Sequence, residues 1–418
     1  MEAEIIATGD EIRTGALVDS NSAHIALALE AEGVTITRHH AVGDDGEVLA
    51  GLFREVSGRA DLAVVTGGLG PTVDDRSAEA AALAGGVSLR MDNVALRSIE
   101  AFFEKRGREM SPSNRKQAML PEGSRRMDNP VGTAPGFSMS ISRCRFFYLP
   151  GVPSEMRRML REQVLPEIRS LQGEDRPVHR VLTLSTFGLP ESVVGDRLND
   201  LPTRFPELQL GLRAHFPSIQ VRLYASGRDE ANLESTLKAA SEWVARRLDP
   251  IRVVSFVGED LETVVGRLLR EQGATLAVAE SCTGGEIAHR ITNVPGSSDF
   301  FLLSAVTYAN SAKTEWLGVA PETIEAFGAV SEQTAKAMAK GVRERTGADF
   351  GVSTSGIAGP TGGSEEKPVG TVCIGIASPD RIKGYRYVFP FGRRRMNKTI
   401  FAASALDLLR RELMKRNE

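Results

Sequence analysis

The chain has 418 residues, and because domains average about 150 residues, this length predicts two to four folding units and excludes a single small module. Its 51 lysines and arginines nearly balance its 54 aspartates and glutamates, so the net charge of −3 argues against nonspecific binding to nucleic acid. The 41% hydrophobic and 25% charged fractions are those of a globular protein and exclude a largely disordered chain.

The cysteines and the first residues of the chain indicate the cellular compartment in which the protein works. Cys144, Cys282 and Cys373 lie far apart and form no CxxC pair, which argues against a structural zinc site and a disulfide framework. The first residues, MEAEII, are acidic where a signal peptide would be basic, and no apolar run approaches the roughly 20 residues that cross a bilayer. We therefore expect a cytoplasmic protein with no membrane partner.

The amino-terminal stretch, residues 1–171, alternates short β-branched runs with helical segments. Strands are predicted at EIIAT, VTITRH and LAVVT, and helices over Ser22–Glu32, Glu47–Ser57 and Ser154–Ser170. The order βαβαβ predicts a mostly parallel α/β sheet covered by helices, with a ligand at the carboxyl ends of its strands. The polar segment QGEDRP, residues 172–177, is typical of a linker.

Two loops at these strand ends carry polar residues suited to phosphate and metal. TGDE follows the first strand, and GGLGPTVDD, with Gly67, Gly68, Gly70 and Thr72, follows the third. Carboxylates beside a glycine-rich phosphate loop suit Mg²⁺ or Mn²⁺ that bridges phosphate oxygens, which would allow phosphoanhydride chemistry. The alternative is that several of these acids cap helices, as Asp75 could. The acids are Asp10, Glu11, Asp19, Asp44, Asp45, Asp74 and Asp75.

The middle stretch, residues 177–255, has the pattern of a small α+β unit. Strands are predicted at RVLTLSTF, QLGLRAHF and IQVRLYASG, and helices at ESVVGDRLNDL and ANLESTLKAASEWVARRL. It contains no cluster of catalytic residue types, so we interpret it as a spacer or dimerisation domain.

The last stretch, residues 257–418, again alternates helices and strands. Helices are predicted over Leu261–Gln272, Glu286–Thr292 and Glu332–Thr346, and strands at TLAVA, FLLSAVTYA, DFGVSTS and TVCIGIAS. This order predicts a second layered α/β fold.

A turn in the last stretch carries a candidate nucleophile. AESCTGG places Ser281 between a strand and a helix, where unpaired amide N–H groups and the helix dipole favour a developing oxyanion, so acyl transfer is plausible. A serine nucleophile needs a base. His289 lies eight residues further along the predicted helix, about 12 Å away at 1.5 Å per residue, which is too far for a hydrogen bond. A lysine is the remaining choice.

Lysine can act as the base if burial or nearby cations lower its pKa from about 10.4 towards neutrality, as in Ser-Lys dyads. Lys313 is the preferred candidate because TYANSAK closes a predicted strand and adds Tyr308 and Asn310, which could orient a substrate. The alternative is that Ser281 and Thr283 only cap a helix and that Lys313 is a solvated surface residue. The lysines considered are Lys313, Lys336, Lys340, Lys367, Lys383 and Lys398.

Two later segments are rich in glycine or arginine. The loop Ser355–Gly363 follows a predicted strand and is trailed by Lys367, so its backbone N–H groups could bind a phosphate; otherwise it is a flexible connection. The run Gly392–Arg395 is either a solvated face or a clamp for a carboxylate that also depresses a lysine pKa.

AESCTGG, VTYANSAK and SGIAGPTGGSEEKPVGTV, in this order, resemble the carboxyl-terminal family of CinA proteins, which includes nicotinamide-nucleotide amidase. The resemblance implies that Ser281 is the nucleophile, Lys313 the general base and acid, and Tyr308 a supporting hydroxyl, with no cofactor required. The substrate would be nicotinamide mononucleotide (NMN), and the products nicotinate mononucleotide and ammonia. Cys282 is a rival nucleophile, but the family pattern and the lack of a histidine partner favour Ser281.

The same resemblance assigns the remaining residues of this site. The family has Gly-Asp-Arg where this chain has Gly392-Arg393-Arg394, so Arg394 takes the arginine position and the acid is lost. The residues expected to bind the substrate are Thr283, Gly284, Gly285, Asn310, Gly356, Gly359, Gly362, Gly363 and Lys367.

GDEIRTGALVDSNS and GGLGPTVDD, followed by SPSNRKQAMLPEGS, NPVGTAPGF and LPGVPSEM, resemble the amino-terminal domain of full-length CinA, a relative of the MoaB/MogA molybdopterin-binding fold. The resemblance implies an ADP-ribose pyrophosphatase that uses a divalent metal (Mg, Mn or Co) and yields AMP and ribose 5-phosphate. Asp19 and Asp75, with Asp74 beside them, would bind the metal. The middle stretch, with TFGLPES, resembles the KH-type domain of these proteins but has no GXXG loop with basic flanks, so RNA binding is not expected.

The sequence therefore predicts a bifunctional hydrolase that recycles pyridine nucleotides, binds NMN and ADP-ribose, does not bind nucleic acid, and is a homodimer by family precedent. Two alternatives stay open. The first domain could bind a pterin or nucleotide and transfer an adenylyl group. The whole chain could instead be a non-enzymatic scaffold or regulator linked to competence or DNA damage.

Overall fold

The structure is a computed structural model that describes residues 1–173 and 177–415, so part of the predicted linker, residues 174–176, lies outside the described residues. The described residues divide into two compact units, Met1–Arg180 with Ser226–Leu233, and Val181–Ala225 with the chain from Glu234 onwards. The three predicted domains, 1–171, 177–255 and 257–418, stay a prediction. No helix in the described part of the chain is both long enough and apolar enough to cross a membrane.

The amino-terminal stretch contains the predicted alternation of strands and helices. Its strands are β1 Glu2–Thr8, β2 Thr35–Val42, β3 Leu62–Thr66, β4 Leu89–Met91, β5 Met119–Pro121, β6 Arg125–Met127, β7 Gly136–Ile141 and β8 Cys144–Leu149. Its helices are α1 Asp10–Arg13, α2 Ser20–Ala31, α3 Gly46–Ser57, α4 Ser77–Gly85, α5 Asn93–Glu104, α6 Pro153–Met159 and α7 Leu165–Gln172, with a π turn at Leu160–Val164.

Six of these strands form one sheet in the order β2-β1-β3-β8-β7-β6. The first four are parallel, as predicted, whereas β7 and β6 add an antiparallel edge. Successive side chains of a strand point to opposite faces, and neighbours such as Ile5 and Ile6, or Val64 and Val65, accordingly pack into two different buried clusters. The sheet is therefore covered on both faces, and its open positions are the strand ends.

The middle stretch forms the predicted small α+β arrangement. Its strands pair in the order β10-β11-β9-β12. They are β9 Val178–Phe187, β10 Leu208–His215, β11 Ser218–Gly227 and β12 Val253–Ser255, with helices α8 Glu191–Arg197, α9 Leu201–Arg204 and α10 Glu230–Leu248.

The last stretch is a five-stranded sheet in the order β14-β13-β15-β16-β17, of which the first three strands are parallel. The α/β fold class predicted from the sequence is confirmed. The strands are β13 Leu276–Glu280, β14 Phe301–Val306, β15 Phe350–Gly356, β16 Thr371–Ala377 and β17 Ile382–Val388. The helices are α11 Leu261–Glu271, α12 Glu286–Thr292, α13 Asn310–Leu317, α14 Pro321–Phe327, α15 Glu332–Thr346 and α16 Arg394–Met414.

One predicted element differs in a way that matters for the site. The strand predicted at FLLSAVTYA ends at Val306, because Val306 pairs with Glu280, the last residue of β13. Thr307 still donates its N–H to the Glu280 carbonyl at 2.8 Å, and the chain then turns into α13. Lys313 is consequently a helical residue and not the end of a strand.

Candidate active site

Ser281 lies in a tight turn directly after β13. Its N–H donates to the Thr354 carbonyl at 3.0 Å, and the Gly284 N–H donates back to the Ser281 carbonyl at 3.1 Å. Gly284 and Gly285 have φ angles of 61° and 91°, a left-handed conformation that favours glycine. The sequence GG thus lets the chain turn back within four residues and leaves the Ser281 hydroxyl at the end of the sheet.

Lys313 reaches this hydroxyl from α13. Its side chain is only 1% exposed, and its Nζ lies 3.2 Å from Ser281 Oγ, 2.9 Å from the Thr307 carbonyl oxygen and 3.1 Å from the Tyr308 carbonyl oxygen. Burial lowers the pKa of Lys313. A neutral amine can donate its two N–H groups to the two carbonyls, which leaves its lone pair for the serine proton. The pair therefore has the geometry of a nucleophile with its base.

The helix-cap alternative does not describe this turn. The N-cap residue of α12 is Gly285, and no side chain caps it from that position. Instead, the fully buried Glu280 carboxylate accepts the N–H groups of Gly285, Ile287 and Ala288 at 3.0, 3.1 and 2.9 Å. Thr283 is also fully buried and shares a 2.7 Å hydrogen bond with the Thr354 hydroxyl. Sequence reasoning missed Glu280, although a carboxylate that ends the apolar strand LAVAE was a usable signal.

Cys282, the rival nucleophile, is poorly suited to attack. Its thiol is 5% exposed, and burial raises the pKa of Cys282 to about 12. Since the thiolate is the reactive form, a thiol that stays protonated near neutral pH is inert. The chemistry favours Ser281.

Tyr308 and Arg394 lie together beside the dyad. Tyr308 is 62% exposed, and its hydroxyl accepts a 3.1 Å hydrogen bond from Arg394 Nη2. Arg394 Nη1 donates to the Gly359 carbonyl at 2.8 Å. The first turn of α16 therefore joins the tyrosine to the glycine-rich loop, as expected if both segments shape one pocket.

The other predicted substrate-binding residues take several roles. Gly356 permits close packing, because a methyl group there would lie 3.2 Å from Cys282 Sγ and 2.5 Å from the Thr371 carbonyl oxygen. Lys367 is already engaged, since its Nζ donates to the Phe327 carbonyl at 3.0 Å. Within the described residues, no hydrogen bond links Lys367 to Ser281 or Lys313. Asn310, Gly362 and Gly363 lie in exposed segments, at the start of α13 and in the loop after β15.

The amino-terminal residues predicted as a site line one cavity of about 850 Å³ at the carboxyl ends of the parallel strands. Asp44, one of the acids singled out in the sequence, lines it too, as do Asn21 and Glu155, which were not predicted as site residues. Asn21 Nδ2 donates to Thr66 Oγ1 at 3.1 Å and to the Gly151 carbonyl at 2.8 Å, which ties α2 to the ends of β3 and β8. The predicted residues in this cavity are Asp19, Gly67, Gly68, Gly70, Thr72, Asp74 and Asp75.

The carboxylates of this cavity have distinct local roles. Asp75 does not cap α4, whose N-cap residue is Arg76; it accepts the Thr72 N–H at 2.8 Å and the Thr72 hydroxyl at 2.5 Å. Asp19 caps α2 through the Ser22 N–H at 2.9 Å. Burial raises the pKa of Asp44, and the nearby acids Asp10, Glu11 and Asp74 raise it further.

Whether the amino-terminal cavity can bind a metal ion depends on the ligand atoms that its side chains offer. Residues 1–173 and 177–415 include no group of three or more His, Cys, Asp or Glu side chains placed to hold an ion, so Asp19, Asp74 and Asp75 do not form a ready-made cage. Mg²⁺ does not require one, because it is commonly bound through one or two carboxylates, waters and substrate phosphates. The carboxylates here fit a cation that arrives with a phosphorylated substrate.

Three family models match the chain in order. They describe a probable molybdopterin binding domain at residues 4–170, the damage-inducible protein CinA KH domain at 182–250, and the CinA C-terminal domain at 258–413. These matches confirm the three predicted fold types.

Two relatives match over nearly the whole chain, and a solved structure matches over part of it. The chain is 49% identical to a CinA-like protein of Desulfosudis oleivorans, covering 99% of this chain and 100% of that protein. It is 46% identical to a CinA-like protein of Geobacter metallireducens, again over 99% and 100%. A crystal structure of the protein CinA with unknown function from Thermoplasma acidophilum is 37% identical and covers 39% of this chain and 97% of its own, with a TM-score of 0.37.

Proposed function

The chain belongs to the CinA family, and from that premise we propose that its carboxyl-terminal domain is a nicotinamide-nucleotide amidase, which hydrolyses NMN to nicotinate mononucleotide and ammonia. The observation that carries the proposal is the 3.2 Å separation between Ser281 Oγ and the Nζ of the buried Lys313. A serine beside a lysine of lowered pKa can cleave an amide without a metal.

The reaction follows from the contacts of these two side chains. Ser281 Oγ attacks the carboxamide carbon of NMN while Lys313 Nζ takes its proton. The Thr283 N–H, which has no partner in the described part of the chain, is available to the oxyanion that develops. Lys313 then gives the proton to the departing nitrogen, so that ammonia leaves and an ester to Ser281 remains. A water molecule, deprotonated by the same amine, attacks this ester and releases nicotinate mononucleotide.

Ammonia and nicotinate mononucleotide release from NMN, measured without added metal, tests this proposal. We expect turnover by the wild type and none above background by Ser281→Ala, because the nucleophile and base act as a unit. Ser298→Ala, a change at an exposed serine of the same domain, is the matched control and should keep full activity. Equal turnover by Ser281→Ala and the wild type would contradict the assignment.

For the amino-terminal domain we propose a metal-dependent ADP-ribose pyrophosphatase that yields AMP and ribose 5-phosphate. The described residues that line its cavity include seven carboxylates and no lysine or arginine. A diphosphate would be repelled from such a cavity unless a cation accompanied it, so the charge distribution favours a metal-bound substrate. Asp19, Asp75 and Asp74 would hold the ion, which would neutralise phosphate charge and activate water.

This second activity is tested with ADP-ribose and Mg²⁺, Mn²⁺ or Co²⁺ in turn, with a chelator as the blank. We expect AMP and ribose 5-phosphate only when a metal is present. Binding of ADP-ribose or a pterin without cleavage under all these conditions would favour the alternative that the domain is a binding module.

A further inference from the structure

A second lysine lies beside the serine turn and takes no part in the dyad. Lys398 is on the second turn of α16, and a methyl group added to Gly284 would lie 3.4 Å from its Nζ. Its side chain is half-buried. In the described part of the chain, no hydrogen bond or ion pair satisfies this amine. A charged group that is partly removed from water and left unpaired is costly, which indicates a ligand of opposite charge.

Three neighbouring cations differ from Lys398 because each already has a partner, and Arg393 and Arg395 differ from it because they are exposed to water. Lys367 donates to the Phe327 carbonyl, and Lys313 to Thr307 and Tyr308. Arg394 is bonded to Gly359 and Tyr308 through one edge of its guanidinium. Within the described residues, Lys398 is therefore a half-buried cation at this turn whose donors are free to bind an anion.

Helix geometry places Arg394 and Lys398 on one side of α16. The two are four residues apart, so their side chains lie one above the other on the same face. Arg394 contacts Tyr308, and Lys398 lies against Gly284, whose N–H is bonded to the Ser281 carbonyl. The dyad is thus bordered by two cations, one at the tyrosine and one at the serine turn.

We propose that Lys398, supported by Arg394, binds the 5′-phosphate of the substrate and so makes the site selective for a pyridine mononucleotide over its nucleoside. The proposal rests on the amidase function proposed above. The pyridinium ring and ribose separate the carboxamide of NMN from its phosphate, so the phosphate needs a cation away from the nucleophile. Lys398 borders the serine turn at Gly284, three residues after the nucleophile.

Steady-state kinetics with NMN and with nicotinamide riboside, which lacks the phosphate, tests this subsite in the full chain. For Lys398→Ala we expect KM for NMN to rise about tenfold or more, since hydrogen bonds between two charged groups are stronger than neutral ones. We expect kcat/KM for the riboside to change less than twofold, and Lys398→Arg to retain most of the NMN affinity. Lys340→Ala, at an exposed lysine of α15 that pairs with Glu344, is the control and should leave both substrates unchanged.

An equal loss with both substrates, or no change with NMN, would overturn the proposal. Calorimetric titration with inorganic phosphate separates it from the amidase assignment. Phosphate that binds the wild type and not Lys398→Ala supports the subsite even if NMN is not hydrolysed. Phosphate that binds both proteins equally, or neither, overturns it. Thermal melts of each variant show whether it is folded.

Discussion

The chemistry of the carboxyl-terminal site depends on the protonation state of Lys313. Burial lowers the pKa of Lys313 from its ordinary value of 10.5, and the side chain acts as a base only when it is neutral. We therefore expect kcat/KM for NMN to rise with pH through this lowered pKa and to level off above it. Initial rates between about pH 6.5 and 10 check this prediction, because kcat/KM reports the free enzyme.

Lys313→Arg is the sharpest control for that profile. Arginine keeps its proton at all these pH values, so the variant should have the positive charge but no amidase activity. A profile without a rising limb, or an active Lys313→Arg variant, would show that another group takes the serine proton.

Glu280 holds the turn that carries the nucleophile in place. Its carboxylate accepts three backbone N–H groups and the Ser304 hydroxyl, the latter at 3.2 Å. In Glu280→Gln the NH2 group of the amide would face some of these N–H and O–H groups, which are hydrogen-bond donors as well. We expect the free energy of unfolding to fall by about 2 kcal/mol and kcat to fall because the turn is less fixed.

Urea denaturation and NMN turnover measure both effects of Glu280→Gln. Glu286→Gln, which removes a carboxylate from the first turn of α12, is the matched control and should change stability by less than about 0.5 kcal/mol. A Glu280→Gln protein as stable as the wild type would mean that the buried carboxylate is not needed to hold the turn.

At the scale of an element, the beginning of α16 lacks a side chain that caps the helix. Arg393 is the N-cap residue of this helix, with φ −110° and ψ 121°, and its side chain caps no N–H group. Aspartate, which the resemblance to CinA proteins predicts at this position, is a residue that caps helices well. We expect Arg393→Asp to stabilise the protein by about 1 kcal/mol. Thermal and urea unfolding check this, with Arg393→Ala, which removes the charge but cannot cap, as the control; no gain for Arg393→Asp over Arg393→Ala would contradict the capping account.

How far the sequence predicted the site is clearest at β13, β14 and α13. The turn Ser281–Gly285 could be recognised because a hydroxyl and two glycines stand together in a short segment. The position of Lys313 on a helix could not, since β14 ends where its partner β13 ends, and pairing between distant segments leaves no periodic signal in FLLSAVTYA. Glu280 was missed for a different reason, because it caps α12 from five to eight residues away and not at the usual N-cap spacing.

At the scale of the whole molecule, the middle and carboxyl-terminal stretches share one compact unit. Phe187 and Val254 of the middle sheet belong to the same buried cluster as Phe350 and Phe401. Arg410 of α16, only 1% exposed, donates to the Ile251 carbonyl at 2.5 Å. Dividing the sequence into domains at its linkers does not reveal this shared core, because the core is made of single residues from segments far apart in the chain.

Each of the two units has a core of its own, so the two proposed activities should respond separately to substitution. Asp75→Asn removes a charge from the amino-terminal cavity but keeps an oxygen that can accept from Thr72. We expect it to reduce metal-dependent ADP-ribose cleavage at least about tenfold, since a metal would lose a ligand charge, and to leave NMN hydrolysis unchanged. Substitutions at sites that share no partner usually act additively.

Both activities are measured on one preparation of each protein, as AMP formation with Mn²⁺ and ammonia release without metal. Ser281→Ala should give the reverse pattern, with ADP-ribose cleavage kept and ammonia release lost, and the double variant should lack both activities. If Asp75→Asn instead lowered both activities in parallel, the cause would be a folding defect or coupling between the sites, which its melting temperature would distinguish. Because the charge change is local and the hydrogen bonds to Thr72 can be kept, we expect that temperature to match the wild type.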